Sequence, residues 1–244
     1  MQTIAKEATT VVAWLREKMK ESGTTGLVLG VSGGIDSALA AGLIAKAAPE
    51  GALGLILPCH SAPSDVEDAK RMVETFGLKS HTIDLSETHR SILQALEQAQ
   101  GETPSRMTDA NLRARLRMAT LYAFANQNNA LVVGTDNAAE ILTGYYTKYG
   151  DGGVDVLPLA ALLKGEVYLW ARQFGVPTEV LRRKPSAGLW EGQTDEGEMG
   201  TTYEYIDDYL RGLPIPEADR TVIERMHRVT EHKRNMPPHA PLGR

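Results

Sequence analysis

Apolar positions at the start of the chain recur with helical spacing. Ile4, Ala8, Val11, Val12, Leu15 and Met19 fall on one face and predict an amphipathic helix over 4–19. The pattern then changes period. Leu27-Val28-Leu29-Gly30-Val31 is a short continuous apolar run introduced by Gly26, as expected of a strand buried on both faces. A polar loop, Ser32-Gly33-Gly34-Ile35-Asp36-Ser37, leads into the alanine-rich stretch ALAAGLIAKAA, a helix ended near Pro49. The same alternation follows with a strand at Leu53–Leu57 and a helix running to about Phe76, opened by the capping-box pattern Ser64-x-x-Glu67. A third strand is expected at His81–Leu85, helices around 87–99 and 109–126, a fourth strand at Ala130–Gly134 and a short fifth at Val154–Leu157. Lys164–Phe174 reads as a helix stopped by Gly175 and Pro177, and helical spacing returns at about 203–211 and 217–233.

Strands alternating with helices predict an α/β fold, a doubly wound parallel five-stranded sheet with helices on both faces. No repeat, low-complexity tract or linker divides the chain, so 1–244 is read as a single domain. Residues 184–202 form the longest stretch without a regular period and are rich in Gly and polar residues, which suggests a lid over a ligand.

Composition narrows the function classes. The 26 basic and 31 acidic residues leave a formal charge of −5, which argues against a nucleic-acid-binding face. No run approaches the ~20 apolar residues of a membrane span. The charged N-terminal stretch lacks the apolar core of a secretory leader. Cys59 is the single cysteine, so an intrachain disulfide and a multi-cysteine metal site are excluded, in keeping with a reducing cytoplasm. The six histidines lack the HExxH spacing.

The strongest chemical signal is the loop between the first strand and its helix. Gly33 and Gly34 allow backbone N–H groups to approach a phosphate, Ser32 and Ser37 add hydroxyls, and the helix N-terminus favours an anion. There is no Gly-Lys-Ser/Thr of a Walker loop and no GxGxxG. Asp36 would repel a phosphate unless a cation stood between them, which makes it a natural Mg2+ ligand. A plain glycine turn with Asp36 capping the helix fits the same residues.

SGGIDS after a strand resembles the loop of the N-type ATP pyrophosphatases, and residues 134–158, GTDNAAEILTGYYTKYGDGGVDVLP, resemble the central block of the NAD synthetases. Other blocks agree in order: Asn111 with Arg115, Lys164, Pro185-Ser186-Ala187, Gln193-Thr194-Asp195-Glu196, and Glu231-His232-Lys233-Arg234. The resemblance covers about residues 4–238 and departs from the common pattern at Asn137, where histidine is frequent. It implies an adenine nucleotide alpha-hydrolase-like sheet and amidation of deamido-NAD by ammonia, with ATP as co-substrate. In that scheme Gly30, Val31, Ser32, Gly33, Gly34, Ile35, Asp36, Ser37, Thr135, Lys164 and Ser186 contact ATP. Asp36 and Glu140 hold Mg2+, and Arg115, Lys148, Asp155, His232 and Lys233 read the dinucleotide.

Taken without the resemblance, Lys164 is a solvated residue at a helix start, His232 an exposed residue at a helix end, and Tyr145 and Tyr146 either stack on a ligand ring or belong to the core. Asn111 and Arg115 lie one turn apart and can share a ligand, while Arg113 and Arg117 point away, solvated or paired. Cys59 is read as a thiol without catalytic role. The synthetase blocks leave no room for a glutaminase domain, so free ammonia is the expected nitrogen donor. A homodimer is expected, partly from the resemblance and partly because the apolar faces of helices 4–19 and 109–126 exceed what one sheet face needs. The alternatives are a GMP synthetase-like amidase of the same superfamily and a non-catalytic adenine-nucleotide-binding module.

Overall fold

The computed structural model describes residues 2–186 and 194–241. The N-terminal amphipathic pattern forms α1 (Gln2–Ser22), and the apolar run after it forms β1 (Gly26–Gly30), in which Leu27, Val28 and Leu29 are fully buried. The chain continues through α2 (Ile35–Ala47), β2 (Ala52–Ile56), α3 (Pro63–Thr75), β3 (Lys79–Thr82), α4 (Ser86–Gln100), α5 (Arg106–Gln127) and β4 (Ala130–Val133). After the last strand come α6 (Ala138–Thr143), α7 (Lys164–Gln173), α8 (Thr178–Leu181), α9 (Asp195–Met199), α10 (Tyr203–Leu210), α11 (Glu217–Val229) and α12 (Glu231–Arg234).

The strands pair in parallel in the order β3-β2-β1-β4. Side chains alternate between two apolar layers, as strand geometry requires. Leu27, Leu29 and Ile56 pack with α1, α2, α3 and α7, while Val28, Leu55 and Val132 pack with Leu116, Leu121 and Ala125 of α5. Helices therefore cover both faces, as the alternation predicted.

Among the described residues the sheet has four strands, not five. Val156 makes one isolated bridge to Val133, and the Asp155 carboxylate accepts the Val132 N–H at 2.7 Å, so a side chain satisfies a β4 amide that a fifth strand would otherwise pair. Pro158 then ends any extension. β3 lies two residues earlier than expected. Its Lys-Ser-His-Thr sequence is exposed throughout, so no hydrophobic period marks it, and pairing with β2 alone defines it. The capping box at Ser64 is also corrected. Pro63 occupies the first turn of α3 behind Ala62, without a side-chain cap. Part of 184–202 is regular, since α9 lies within it. Residues 187–193, including Trp190, fall outside the described residues, so the expectation of a lid there is not addressed.

Crossovers from β1 run to β2 on one side, while β4 lies on the other. The loops after β1 and β4 consequently leave the same edge of the sheet side by side. This is a topological switch point, where open α/β sheets bind ligands.

Candidate active site

The loop after β1 is set by sterics. Gly33 has φ +81°, and a Cβ there would come within 2.8 Å of the Asp65 carbonyl oxygen of α3, so glycine is required twice over. The Ser32 and Ser37 hydroxyls lie 3.1 Å apart, Gly34 N–H donates to Ser32 Oγ, and Ser37 Oγ donates to the Gly34 carbonyl. Gly34 caps α2 with no side-chain hydrogen bond, so the first N–H groups of this thirteen-residue helix are not shielded by a capping side chain. Thus Asp36 does not cap the helix, and the plain-turn reading fails on geometry.

Asp36 instead faces across the switch point. Its Oδ2 accepts from Lys164 Nζ at 2.7 Å and its Oδ1 from Asn137 Nδ2 at 2.9 Å. Asn137 also caps α6, accepting the Ala139 and Glu140 N–H groups, while Glu140 Oε2 accepts the Asn137 N–H. The capping box therefore anchors one oxygen of Glu140 and leaves Oε1 facing Lys164 Nζ at 3.3 Å. Lys164 opens α7, whose first two N–H groups are held by Asp207. At 2 % exposure, it is not a solvated residue.

Tyr203 closes the cluster. Its hydroxyl donates to Glu140 Oε1 at 3.1 Å and Asp195 Oδ2 at 2.9 Å, and its ring lies 4.6 Å from Lys164 Nζ. Asp195 Oδ1 is buried with no hydrogen-bond partner among the described residues.

Charge in this crevice is predominantly negative. Burial opposes the Lys164 ammonium, but Asp36 and Glu140 overcome it and raise its pKa above the ordinary lysine value. Burial pushes the Glu140 carboxyl up to about 7, against the pull of Lys164. Asp136 is raised well above the carboxylate range by burial and then by Asp151, Glu140 and Asp36. Burial also raises Asp151 and Asp195. Such a concentration of carboxylates, two of them converging on one cation, is chemically suited to a hard divalent ion with oxygen ligands.

A second group extends away from this cluster. Lys148 Nζ donates to the His232 carbonyl, Arg115 to the Lys148 carbonyl, and Lys233 Nζ to the Gly144 carbonyl at 2.7 Å. Lys233 also lies 5.3 Å from the Tyr146 ring centre. The approach demands glycine at position 144, where a Cβ would meet the Thr230 side chain at 2.3 Å. Arg115, Lys148, His232 and Lys233 are thus brought together, whereas Asp155 is engaged by Tyr122 and the β4 backbone. His232 is exposed, as expected of a residue at a helix end. Thr135 is half-buried just beyond β4, Ser186 is exposed, and Tyr145 packs in the apolar cluster of α10 and α11.

Arg113 and Arg117 are paired and turned away from the side on which Asn111 meets Thr147 and Arg115 meets Lys148. Arg113 bonds Asp109 at 2.6 Å, and Arg117 donates to the Leu57 carbonyl and Ser61 Oγ. Arg115 is the exposed member of the three. Sequence reasoning assigned no role to Asn137, Tyr203 or Asp207. Asn137 was recoverable, because Asn three residues before Glu is itself a capping-box signal. The other two lie in a stretch that resembles the family, Tyr203 with Ile206-Asp207-Asp208-Tyr209-Leu210, but nothing local in it gives either a role.

A parallel α/β sheet with a glycine phosphate loop at its switch point, facing a Lys-carboxylate cluster, defines a nucleotide-binding protein of the doubly wound class. The NAD synthase family model matches residues 7–237, and the chain belongs to that family. An NH3-dependent NAD(+) synthetase from Alkaliphilus metalliredigens (strain QYMF) is 57 % identical over 96 % of this chain and 98 % of its own length. Among solved structures, NMN synthetase from Francisella tularensis superposes with TM-score 0.93 at 38 % identity, covering 98 % of this chain and 99 % of that one. The NH3-dependent NAD synthetase from Campylobacter jejuni, solved with nitrate ion, gives 0.79 at 30 % identity over 98 % of this chain and 99 % of that one.

Proposed function

We propose that the chain is a C–N ligase that amidates deamido-NAD with ammonia at the expense of ATP. The observation that carries this reading is the convergence of Asp36, Glu140 and Lys164 beside the SGGIDS loop. The substrate carboxylate oxygen attacks the α-phosphorus of ATP, and the bond to pyrophosphate breaks. Ammonia then attacks the acyl carbon, the bond to AMP breaks, and the nitrogen loses a proton to give the amide. Adenylation is needed because a free carboxylate is a poor acyl donor.

Loop N–H groups and the Ser32 and Ser37 hydroxyls bind the departing phosphates in this reading. Asp36 and Glu140 Oε1, the oxygen that now accepts from Lys164 and Tyr203, would hold Mg2+, which supplies charge neutralisation at the phosphates. Lys164 neutralises the same carboxylates before the nucleotide arrives. Thr135 and Ser186 line the ATP side, and Arg115, Lys148, Asp155, His232 and Lys233 the dinucleotide side. The strand order supports an adenine nucleotide alpha-hydrolase-like fold, and no described helix is long and apolar enough to cross a membrane.

The test is NAD formation from deamido-NAD and ATP with ammonium or glutamine. Ammonium is expected to support turnover and glutamine to support less than about a hundredth of that rate, because a relative named for ammonia dependence matches over 96 % of this chain and 98 % of its own. Equal rates with glutamine would overturn the nitrogen assignment. A second acceptor is favoured by one observation, the closer superposition on an NMN synthetase (0.93 against 0.79). The deamidated mononucleotide belongs in the same assay, and a higher kcat/KM for it would move the assignment to that smaller substrate.

Homodimerisation is part of the same reading, with α5 at the interface. The apolar face of α1 cannot contribute as first expected, because Ile4, Val11, Trp14 and Met19 pack into the chain's own core. On α5 only Ala110 and Ala125 are fully buried, and Met107 is 60 % exposed. Light scattering at micromolar concentration is expected to give twice the chain mass; a monomer with full activity would refute it.

A further inference from the structure

We propose that Cys59, His60 and His89 form a binding site for a borderline-soft divalent ion, of which Zn2+ fits best, separate from the carboxylate cluster. The three donor atoms lie within 4.8 Å of one another, although the residues come from different elements. Cys59 and His60 follow β2, and His89 lies in the first turn of α4.

The histidines are arranged as metal ligands are. His89 is 1 % exposed, and its Nε2 faces the Asp109 carboxylate at 3.1 Å. Arg113 pairs with the other oxygen of that carboxylate at 2.6 Å. Nε2 therefore carries the proton, and Nδ1 presents a lone pair towards His60 Nε2, 3.1 Å away. A carboxylate fixing the tautomer of a buried histidine whose other nitrogen points into a donor cluster is the usual outer shell of a zinc-bound imidazole. His60 reaches this position only by adopting φ +56°, a left-handed backbone that is costly for histidine. The loop is fixed there by His60 N–H donating to Ser86 Oγ at 2.9 Å and Cys59 N–H to Ser61 Oγ at 3.3 Å.

Donor type and spacing select the ion. One sulfur and two imidazole nitrogens suit Zn2+ and disfavour Mg2+, which demands oxygen. Tetrahedral zinc separates its nitrogen and sulfur ligands by about 3.3–3.6 Å, so the sulfur has to close by roughly 1 Å, within reach of a side-chain torsion. The Cys59 side chain is buried, at 1 % exposure, so an ion held there would be screened from solvent on the sulfur side. With three protein ligands, a fourth position remains for water or a small anion. It borders a cavity of about 400 Å3 lined by His60, His89, Thr103, Pro104, Asp109 and Arg113. A bound ion would tie the segment after β2 to the start of α4 and, through Asp109, to α5.

The test uses the full chain, stripped with chelator and held in excess Mg2+ so that oxygen sites are filled. One equivalent of Co2+ is expected to give intense visible bands of a four-coordinate ion and a near-ultraviolet thiolate charge-transfer band, both bleached by Zn2+. Free Zn2+ at a hundredfold excess over its Kd should raise the melting temperature by roughly 5–10 °C. Cys59→Ser should lose the charge-transfer band, and Asp109→Asn should weaken binding about 10- to 100-fold. His60 is exposed, and His60→Asn suits the left-handed backbone, so this variant removes a ligand without threatening the fold. A six-coordinate cobalt spectrum, or a charge-transfer band unchanged in Cys59→Ser, overturns the site and leaves the histidines as a hydrogen-bonded pair.

Discussion

Asp36→Asn is expected to lower ATP-dependent amidation by about three orders of magnitude or more while the chain stays folded. The substitution keeps the shape of the side chain, and its amide oxygen can still accept from Lys164 Nζ or Asn137 Nδ2, the partners now at 2.7 and 2.9 Å. Glu140 remains to balance Lys164, so no buried charge is orphaned. What disappears is one negative charge at the mouth of the phosphate loop. If Asp36 holds the cation that neutralises the phosphates, that loss falls on the chemical step and not on the fold. Circular dichroism and the melting temperature should therefore match the parent within a few degrees, while pyrophosphate release in the presence of deamido-NAD collapses. Near-normal turnover at saturating ATP and Mg2+ would remove Asp36 from the metal site.

The sheet was legible where burial was two-sided. β1 and β4 are apolar runs whose residues face helices on both sides, and sequence placed both within a residue. β3 failed because every one of its residues is exposed, so only main-chain pairing with β2 defines it. The supposed fifth strand failed for a different reason: Asp155 satisfies the Val132 amide with its side chain, which an apolar pattern cannot reveal.

The candidate site follows the same division. The glycine loop could be read from local sterics, because Gly33 needs both its positive φ and its missing Cβ. The Asp36, Glu140 and Lys164 cluster could not, since its members belong to α2, α6 and α7 and share no spacing. Resemblance named them, and only the fold makes them neighbours. Lys164 illustrates the gap. A lysine at the first position of a helix looks unfavourable in sequence, with its charge against the positive end of the dipole. In the structure Asp207 takes the first N–H groups of that helix, and two carboxylates take the ammonium.

Lys164→Met should therefore damage stability as well as activity. The ammonium is 3 % exposed, with Asp36 and Glu140 at 18 % and 13 %, so solvent screens the three charges little. Removing the cation leaves two buried carboxylates facing each other and Asp195 nearby. Breaking a buried ion pair from one side costs about 3–5 kcal/mol. Part of this will be recovered by protonation of Glu140, whose carboxyl burial already pushes up to about 7. Without Lys164, which lowers that value, Glu140 takes up its proton above pH 7, so urea unfolding should show the largest loss at alkaline pH, shrinking as the pH falls to about 7. Millimolar Mg2+ supplies a further check. If the two carboxylates can hold a divalent ion, Mg2+ should replace the missing ammonium and restore more stability to Lys164→Met than it adds to the parent, without restoring turnover. A variant as stable as the parent at alkaline pH would mean that the ammonium contributes nothing net to this cluster. Equal stabilisation of both proteins by Mg2+ would place the ion elsewhere.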